Sequence, residues 1–232
     1  VGLKQDSSAV DIGEEAFRSC SALTNAVIGF GVHRVGPAAF RGCVLLASIT
    51  LPDSVKELNE AAFYNCRALT ELRVGKSLVS IGADAFRRCE GLRSLSLPAS
   101  LTNLGSSAFS YCSNLERVYF AGAPPATGAY VFFGSPKVTV YFLPTASGWG
   151  ATFGDRPTKL WDPEFTAAAF GRDGMRLTLT GTPEIPIAVD RSTNLNALSW
   201  SRILITNLTQ SSLELLDPAA TTSAAFYRIA GP

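Results

Sequence analysis

The chain of 232 residues carries 20 Lys and Arg against 19 Asp and Glu, a formal net charge of +1, and is 47% hydrophobic with only 17% charged residues. That is enough length for one or two domains with a sizeable core, and a charge balance that excludes an electrostatic nucleic-acid binder or an acidic tail. No apolar run approaches the ~18 residues of a membrane span and no signal peptide opens the chain; Met175 is the only methionine, so Val1 reads as the start of a processed chain or a fragment.

The cysteines organise the first half. They stand at Cys20, Cys43, Cys66, Cys89 and Cys112, each 23 residues after the last. An odd count argues against a closed disulfide framework, and no C-x-x-C pair suggests zinc. Equal spacing points instead to an internal repeat, and other columns keep the same period. Phe17, Phe40, Phe63, Phe86 and Phe109 each follow an alanine; Leu23, Leu46, Leu69, Leu92 and Leu115 each lie three residues after a cysteine. Ile12, Val35, Leu58, Ile81 and Leu104 form a further column, followed by glycine except at Asn59. The unit reads I-G-x-x-A-F-x-x-C-x-x-L-x-x-L-x-L-P-x-x-L-x-x.

Each part of the unit has a physical reading. Leu95 and Leu97 alternate as in a short strand with one buried face, and Pro52, Pro98, Gly29 or Gly75 then ends the strand. Ile81, Ala85, Phe86 and Cys89 share one face of about two helical turns, so a short amphipathic helical turn is expected there. One such coil cannot enclose its own leucines. Successive coils therefore stack, with strands pairing in parallel about 4.8 Å apart. The expected fold class is an α/β repeat solenoid followed by a small all-β antiparallel module.

The pattern A-F-x-x-C-x-x-L-x-x-L-x-L-P over residues 10–120 resembles the BspA-like class of leucine-rich repeats, found on bacterial and protozoan cell surfaces. The resemblance implies a horseshoe or nearly straight coil with a parallel sheet on one face, and an extracellular or cell-surface location. The usual Asn or Cys after the strand is missing here; the cysteine precedes the strand, as in that class.

The ends of the array are less regular. Leu3 and Ala9 keep phase with Ala26 and Val32, so residues 1–10 read as the tail of a preceding coil. Downstream, Phe132 keeps phase, Ser135 replaces the cysteine and Val138 the leucine. Residues 121–161 are expected to form a degenerate last coil and a cap in which Trp149 and Trp161 cover the final layer, since an open end leaves apolar surface wet. The repeat domain thus spans residues 1–120 and a β-module residues 162–232. Within the module, Met175–Thr180, Ile185–Asp190, Ser199–Thr206, Ser211–Leu216 and Ala225–Ile229 read as short strands of a sandwich. The run from Thr180 to Leu195, with Trp200 and the terminal F-Y-R-I, resembles C-terminal β-modules of secreted bacterial surface proteins.

Candidate chemistry is sparse. The cysteine column reads as buried small hydrophobes rather than a metal ladder or a set of disulfides between coils, since stacked Cβ vectors run parallel and give poor disulfide geometry; all five thiols are expected to be inaccessible. Gly75-Lys76-Ser77 imitates a phosphate loop, but Thr70 stands where its glycine is needed, and the tripeptide aligns with a repeat turn. His33, the only histidine, falls in an outer loop. Asp155, Asp162 and Glu164 supply the carboxylates a glycosidase would need, making a carbohydrate-active enzyme a distant alternative. Asn207-Leu208-Thr209 is a glycosylation sequon. Arg18, Arg41 and Arg87 share one column, broken by Tyr64 and Ser110, giving a short basic ladder that either reaches an anionic glycan or lipid or lies solvated beside carboxylates. No catalytic, metal or cofactor site is assigned.

The outward residues between the strand leucines are Asn25 and Val27, Ser48 and Thr50, Glu71 and Arg73, Ser94 and Ser96, and Arg117 and Tyr119. Variation there leaves the core untouched, which is how repeat proteins present a binding face. The expected protein is a non-enzymatic, secreted or surface-displayed binder of a protein or polysaccharide through this face. The alternative is a structural subunit whose coil ends or strand edges join copies into a filament or matrix.

Overall fold

The structure, a computed structural model, describes residues 10–182, 186–193, 200–208, 210–220 and 225–230. The phase of Leu3 and Ala9, the side chain of Asn207 and Thr209 of the sequon lie outside the described residues. The chain divides into two compact units, Val1–Lys159 and Leu160–Pro232.

In the first unit the coils contribute, in chain order, β1 (Val10–Ile12), β2 (Asn25–Val27), β3 (Val32–Val35), β4 (Ser48–Thr50), β5 (Glu57–Leu58), β6 (Glu71–Arg73), β7 (Ser80–Ile81), β8 (Ser94–Leu97), β9 (Asn103–Leu104) and β10 (Arg117–Phe120). They are followed by β11 (Ala126–Thr127), β12 (Thr139–Phe142), β13 (Thr152–Phe153) and β14 (Arg156–Leu160). The strands named for the repeat leucines pair in parallel, β2–β4–β6 and then β8–β10–β12, and the second ladder continues through β14 to β13. Registers advance by one period, as in Asn25 opposite Ser48 and Ser48 opposite Glu71. A second parallel sheet, β1–β3–β5–β7–β9–β11, runs along the isoleucine column. The single-sheet expectation missed it. His33 lies in its strand β3, half-buried, rather than in an outer loop.

The third side of each coil departs from expectation in a more instructive way. No α-helix is present among the described residues, so the helical turn around A-F-x-x-C is not formed. Two backbone positions per coil explain why. Glu15, Ala38, Ala61, Asp84, Ser107 and Tyr130 form one column with φ between 53° and 62°, and Ser19, Gly42, Asn65, Arg88, Tyr111 and Gly134 form another with φ between 57° and 77°. Left-handed residues every fourth position forbid a right-handed helix. Half of the N–H groups in this segment then point along the stack: Glu15, Phe17 and Ser19 donate to Pro37, Ala39 and Arg41 of the next coil at 2.9, 2.7 and 2.7 Å. The alternate residues close local turns, as Arg18 does on Glu15 and Cys20 on Phe17. Every coil thus satisfies its turn side by bonding its neighbour, which a self-contained helix would not do.

The core is a set of aligned columns. Rings of Phe17, Phe40, Phe63, Phe86, Phe109 and Phe132 stack with centroids 5.0–5.9 Å apart. Cys43, Cys66, Cys89 and Cys112 are fully buried, and each thiol donates to the phenylalanine carbonyl of the coil before, from Cys43 on Phe17 at 3.0 Å to Cys112 on Phe86 at 3.1 Å. Ser135 does the same to Phe109 at 2.9 Å, so the hydroxyl is a working replacement. Burial pushes the thiols of Cys66 and Cys112 up to about 12, and that of Cys89 well above its ordinary value. Cys20, by contrast, is exposed, which corrects the expectation that all five thiols are covered: among the described residues no coil lies on its outer side.

At the far end the last ring is closed over. Gly154, at φ 56°, lies so near Phe132 that a Cβ there would sit 2.9 Å from the ring, and Arg156 donates to the Phe132 carbonyl at 3.2 Å. Arg156 therefore supplies the donor that a cysteine supplies in earlier coils. Trp149 stacks on Phe142 at 5.3 Å, packs against Phe120 and Phe153, and donates to the Gly122 carbonyl. Trp161 falls after the division between the units.

The second unit holds β15 (Glu164–Gly171), β16 (Gly174–Thr180), β17 (Pro186–Ser192), β18 (Ser201–Asn207), β19 (Ser212–Asp217) and β20 (Phe226–Ala230). They form two antiparallel sheets, β15–β16–β19 and β18–β17–β20. Asp217 ties one to the other: from β19 it accepts Arg191 of β17 at 3.0 Å and the Tyr227 hydroxyl of β20 at 2.8 Å. Burial, reinforced by that carboxylate, pushes Tyr227 up to about 12. The five expected strands are present; β15 was not anticipated.

Candidate functional site

The candidate contact residues fall on the leucine-strand face, alternating with side chains that enter the core. Ala26, Ile49 and Leu72 point inward from β2, β4 and β6, which leaves their neighbours on the outer surface. Asn25, Val27, Thr50, Glu71 and Arg73 are exposed and Ser48 half-exposed, Val27 reaching 83%. Ser48 donates to the Asn25 side-chain oxygen at 3.0 Å across the ladder. Neither Glu71 nor Arg73 is held in an ion pair among the described residues, so both carry their charge into solvent on one strand, two residues apart.

The face changes along the stack. Ser96 is exposed and Ser94 half-buried, whereas Arg117 is drawn toward Glu116 at 3.7 Å. Tyr119 is only 7% exposed, its ring stacked on Tyr141 at 5.1 Å. The expectation that Tyr119 points into solvent is therefore corrected: the outward position is kept in register, but an aromatic neighbour in the next strand covers it. The open part of the face is the part built by β2, β4 and β6.

The other candidates resolve into structure. Lys76 of the Gly-Lys-Ser tripeptide donates its backbone N–H to Asp53 at 2.7 Å, and a Cβ on Gly75 would meet the Pro52 carbonyl at 2.4 Å, so this is a turn locked to the coil before it. Arg18 pairs with Glu15, Arg41 lies 4.8 Å over the Tyr64 ring, and Arg87 pairs with Asp84 at 3.1 Å. Asp162 accepts the Thr182 N–H at 2.7 Å and Glu164 is exposed on β15, while Asp155 sits in the β13–β14 turn of the first unit with φ 61°. Asp11 is held below the usual carboxylate range by the hydrogen bond from Arg34.

Residues 10–139 match, in six copies, the family described as BspA type leucine rich repeat region. Among solved structures, the chain is similar to a leucine rich repeat protein of T. pallidum at 30% identity and TM-score 0.52, covering 59% of this chain and 68% of that one. A leucine-rich repeat protein from Bacteroides ovatus matches at 29% identity and TM-score 0.51, covering 58% of this chain and 37% of that one. A leucine rich cell surface protein from Faecalibacterium prausnitzii matches at 24% identity and TM-score 0.47, covering 61% and 44%. This chain therefore spans about two thirds of the first relative and less than half of the other two. No curated protein matches it.

Proposed function

This chain belongs to the BspA-type leucine-rich-repeat family, and on that premise we propose that it is a non-enzymatic binding protein, displayed on a cell surface or secreted, whose open sheet face engages a protein or polysaccharide. One observation carries the reading: Asn25, Val27, Thr50, Glu71 and Arg73 cluster on three adjacent strands, exposed, while the side chains between them build the core. Glu71 and Arg73 are the charged anchors of this surface, and Val27 its apolar one. A screen on glycan and host-protein arrays tests the proposal. The expected hit is lost in Arg73→Glu and Glu71→Lys variants that keep the wild-type unfolding midpoint; a hit indifferent to both contradicts the face.

A second reading, self-assembly into a filament or matrix, is favoured by a different observation. Phe17 (41%) and Phe30 (92%) are exposed around the first described coil. Light scattering across a concentration series separates the two: mass that grows with concentration supports assembly, and a constant mass supports the binder.

A further inference from the structure

One column of the solenoid changes character in a way the stack itself does not require. Arg18, Arg41, Tyr64, Arg87, Ser110 and Phe133 occupy equivalent positions in successive coils. All but one are long side chains. Ser110 is the exception, 1% exposed, with its hydroxyl turned down onto the Tyr130 carbonyl at 2.8 Å. A missing side chain between Arg87 on one coil and Phe133 two coils on leaves a gap about 10 Å wide, twice the strand spacing. The structure has a pocket of about 320 Å³ there, lined by Arg87, Ser107, Ser110, Tyr111, Tyr130 and Phe133.

The walls are aromatic and held in place. Phe133 meets Tyr111 edge-on at 5.6 Å and Tyr130 edge-on at 5.9 Å. Tyr111 and Tyr130 stand at the two left-handed positions of their coils, with φ of 57° and 62°. Elsewhere those columns hold Glu, Ala, Asp, Ser, Gly, Asn or Arg, and aromatics occur in them only at this pocket. A bulky residue in that conformation is a strained choice, and such choices gather at binding sites. Gly134 makes room for the arrangement, because a Cβ on it would lie 2.7 Å from the Tyr111 ring. The rings nevertheless remain open to solvent: Tyr130 is 67% exposed and Phe133 54%.

The charge at the rim is cationic. Arg87 lies 5.2 Å and Arg88 5.9 Å from the centre of the Tyr111 ring. Asp84 takes one guanidinium nitrogen of Arg87 and leaves its buried Nε with no hydrogen-bond partner. Two arginines against one aspartate leave a net positive rim, which disfavours a cationic guest of an aromatic cage. A ring-sized anion with an apolar face suits it instead: the face lies on Tyr130 and Phe133, hydroxyls meet Ser107 and the tyrosine hydroxyls, and a carboxylate meets Arg87.

We propose that this pocket binds a single acidic sugar residue, of the uronic or sialic acid type, within a glycan. The site lies on the turn side of the coils and does not depend on the sheet face. Calorimetric titration of the full chain with a glucuronic-acid disaccharide and with 3′-sialyllactose, against neutral lactose, tests it. Binding of at least one acidic probe is expected, with lactose bound no better than background. Arg87→Gln should weaken that binding about tenfold, the worth of a hydrogen bond to a charged group. Ser110→Tyr restores the long side chain that Tyr64 carries in the same column and should abolish binding by filling the gap. Tyr130→Ala, which places alanine where Ala38 and Ala61 already stand, should abolish it with the fold intact, and serves if the tyrosine at 110 is not tolerated. Failure of both acidic probes, equal binding of lactose, or acidic binding unaffected by Tyr130→Ala overturns the proposal.

Discussion

Phe17 and Phe132 occupy the same position of the same repeat, yet one is 41% exposed and the other fully buried. What differs is the neighbour. Phe132 has the Phe109 ring on one side and Gly154 on the other, and its carbonyl receives Arg156. Phe17 has Phe40 on one side and no described residue stacked on the other. A cap for this solenoid is therefore specific: a glycine flat against the last ring and one donor for the last phenylalanine carbonyl, with Trp149 covering the sheet side. It also follows that a ring in this column is stabilising in proportion to the layers on both of its faces.

The comparison breaks most visibly in the middle. Phe63→Ala removes a fully buried ring stacked between Phe40 and Phe86 at 5.2 Å on both sides, and should cost about 3–5 kcal/mol by denaturant titration. Phe132→Ala should cost about the same if the cap is as tight as a coil. Phe17→Ala should cost only about 1–2 kcal/mol, since much of that ring is already wet. Equal losses at Phe17 and Phe132 would remove the distinction between the two rings. Arg156→Met keeps the aliphatic stem and deletes the donor; the unpaired Phe132 carbonyl should lower stability by about 1–2 kcal/mol, and no change would show that the arginine is not part of the cap.

A smaller effect sharpens the same picture through pH. The folded thiols of Cys66 and Cys112 titrate near 12 while unfolded thiols titrate near 9.0. Between those values the unfolded chain has released protons that the folded chain retains, so folding stability is complete below about pH 9 and falls as pH rises toward 12. Each thiol contributes a slope of up to about 1.4 kcal/mol per pH unit. Tyr227 adds its own fall only above its ordinary 10.0, which leaves pH 9–10 to the cysteines. The urea midpoint of the repeat unit should decline there, and Cys89→Ser, which copies the serine that Ser135 places in the same column, should flatten the decline.

Much of this architecture was legible because a repeat writes each contact several times. The Phe, Leu and Cys columns named the core, and alternation around Leu72 or Ile49 named the face that holds Glu71 and Arg73. The turn side was not legible. Its left-handed residues include Ala38, Ala61, Arg88 and Tyr111, which carry no intrinsic preference for that conformation; only Gly42, Asn65, Asp84 and Gly134 hinted at it. The requirement comes from bonding between coils, which a single coil's apolar spacing does not encode, and so that spacing suggested a helix. The second sheet escaped because β5, β7 and β9 are two residues long. Strand β15 escaped because Ala167, Ala168 and Ala169 show no alternation. Tyr119 was placed on the correct face, but its cover, Tyr141, lies in a coil whose repeat signature had faded. The gap at Ser110 was visible as a break in the arginine column; its meaning appeared only once Tyr111, Tyr130 and Phe133 were seen around it.

The five cysteines offer the most direct test of the stacked layers, which among the described residues cover every thiol except that of Cys20. Native protein treated with a thiol reagent and mapped by mass spectrometry should label Cys20 rapidly, while Cys43, Cys66, Cys89 and Cys112 react only as fast as the chain unfolds. Comparable rates at all five, or rapid labelling of Cys89 in the folded protein, would contradict the account.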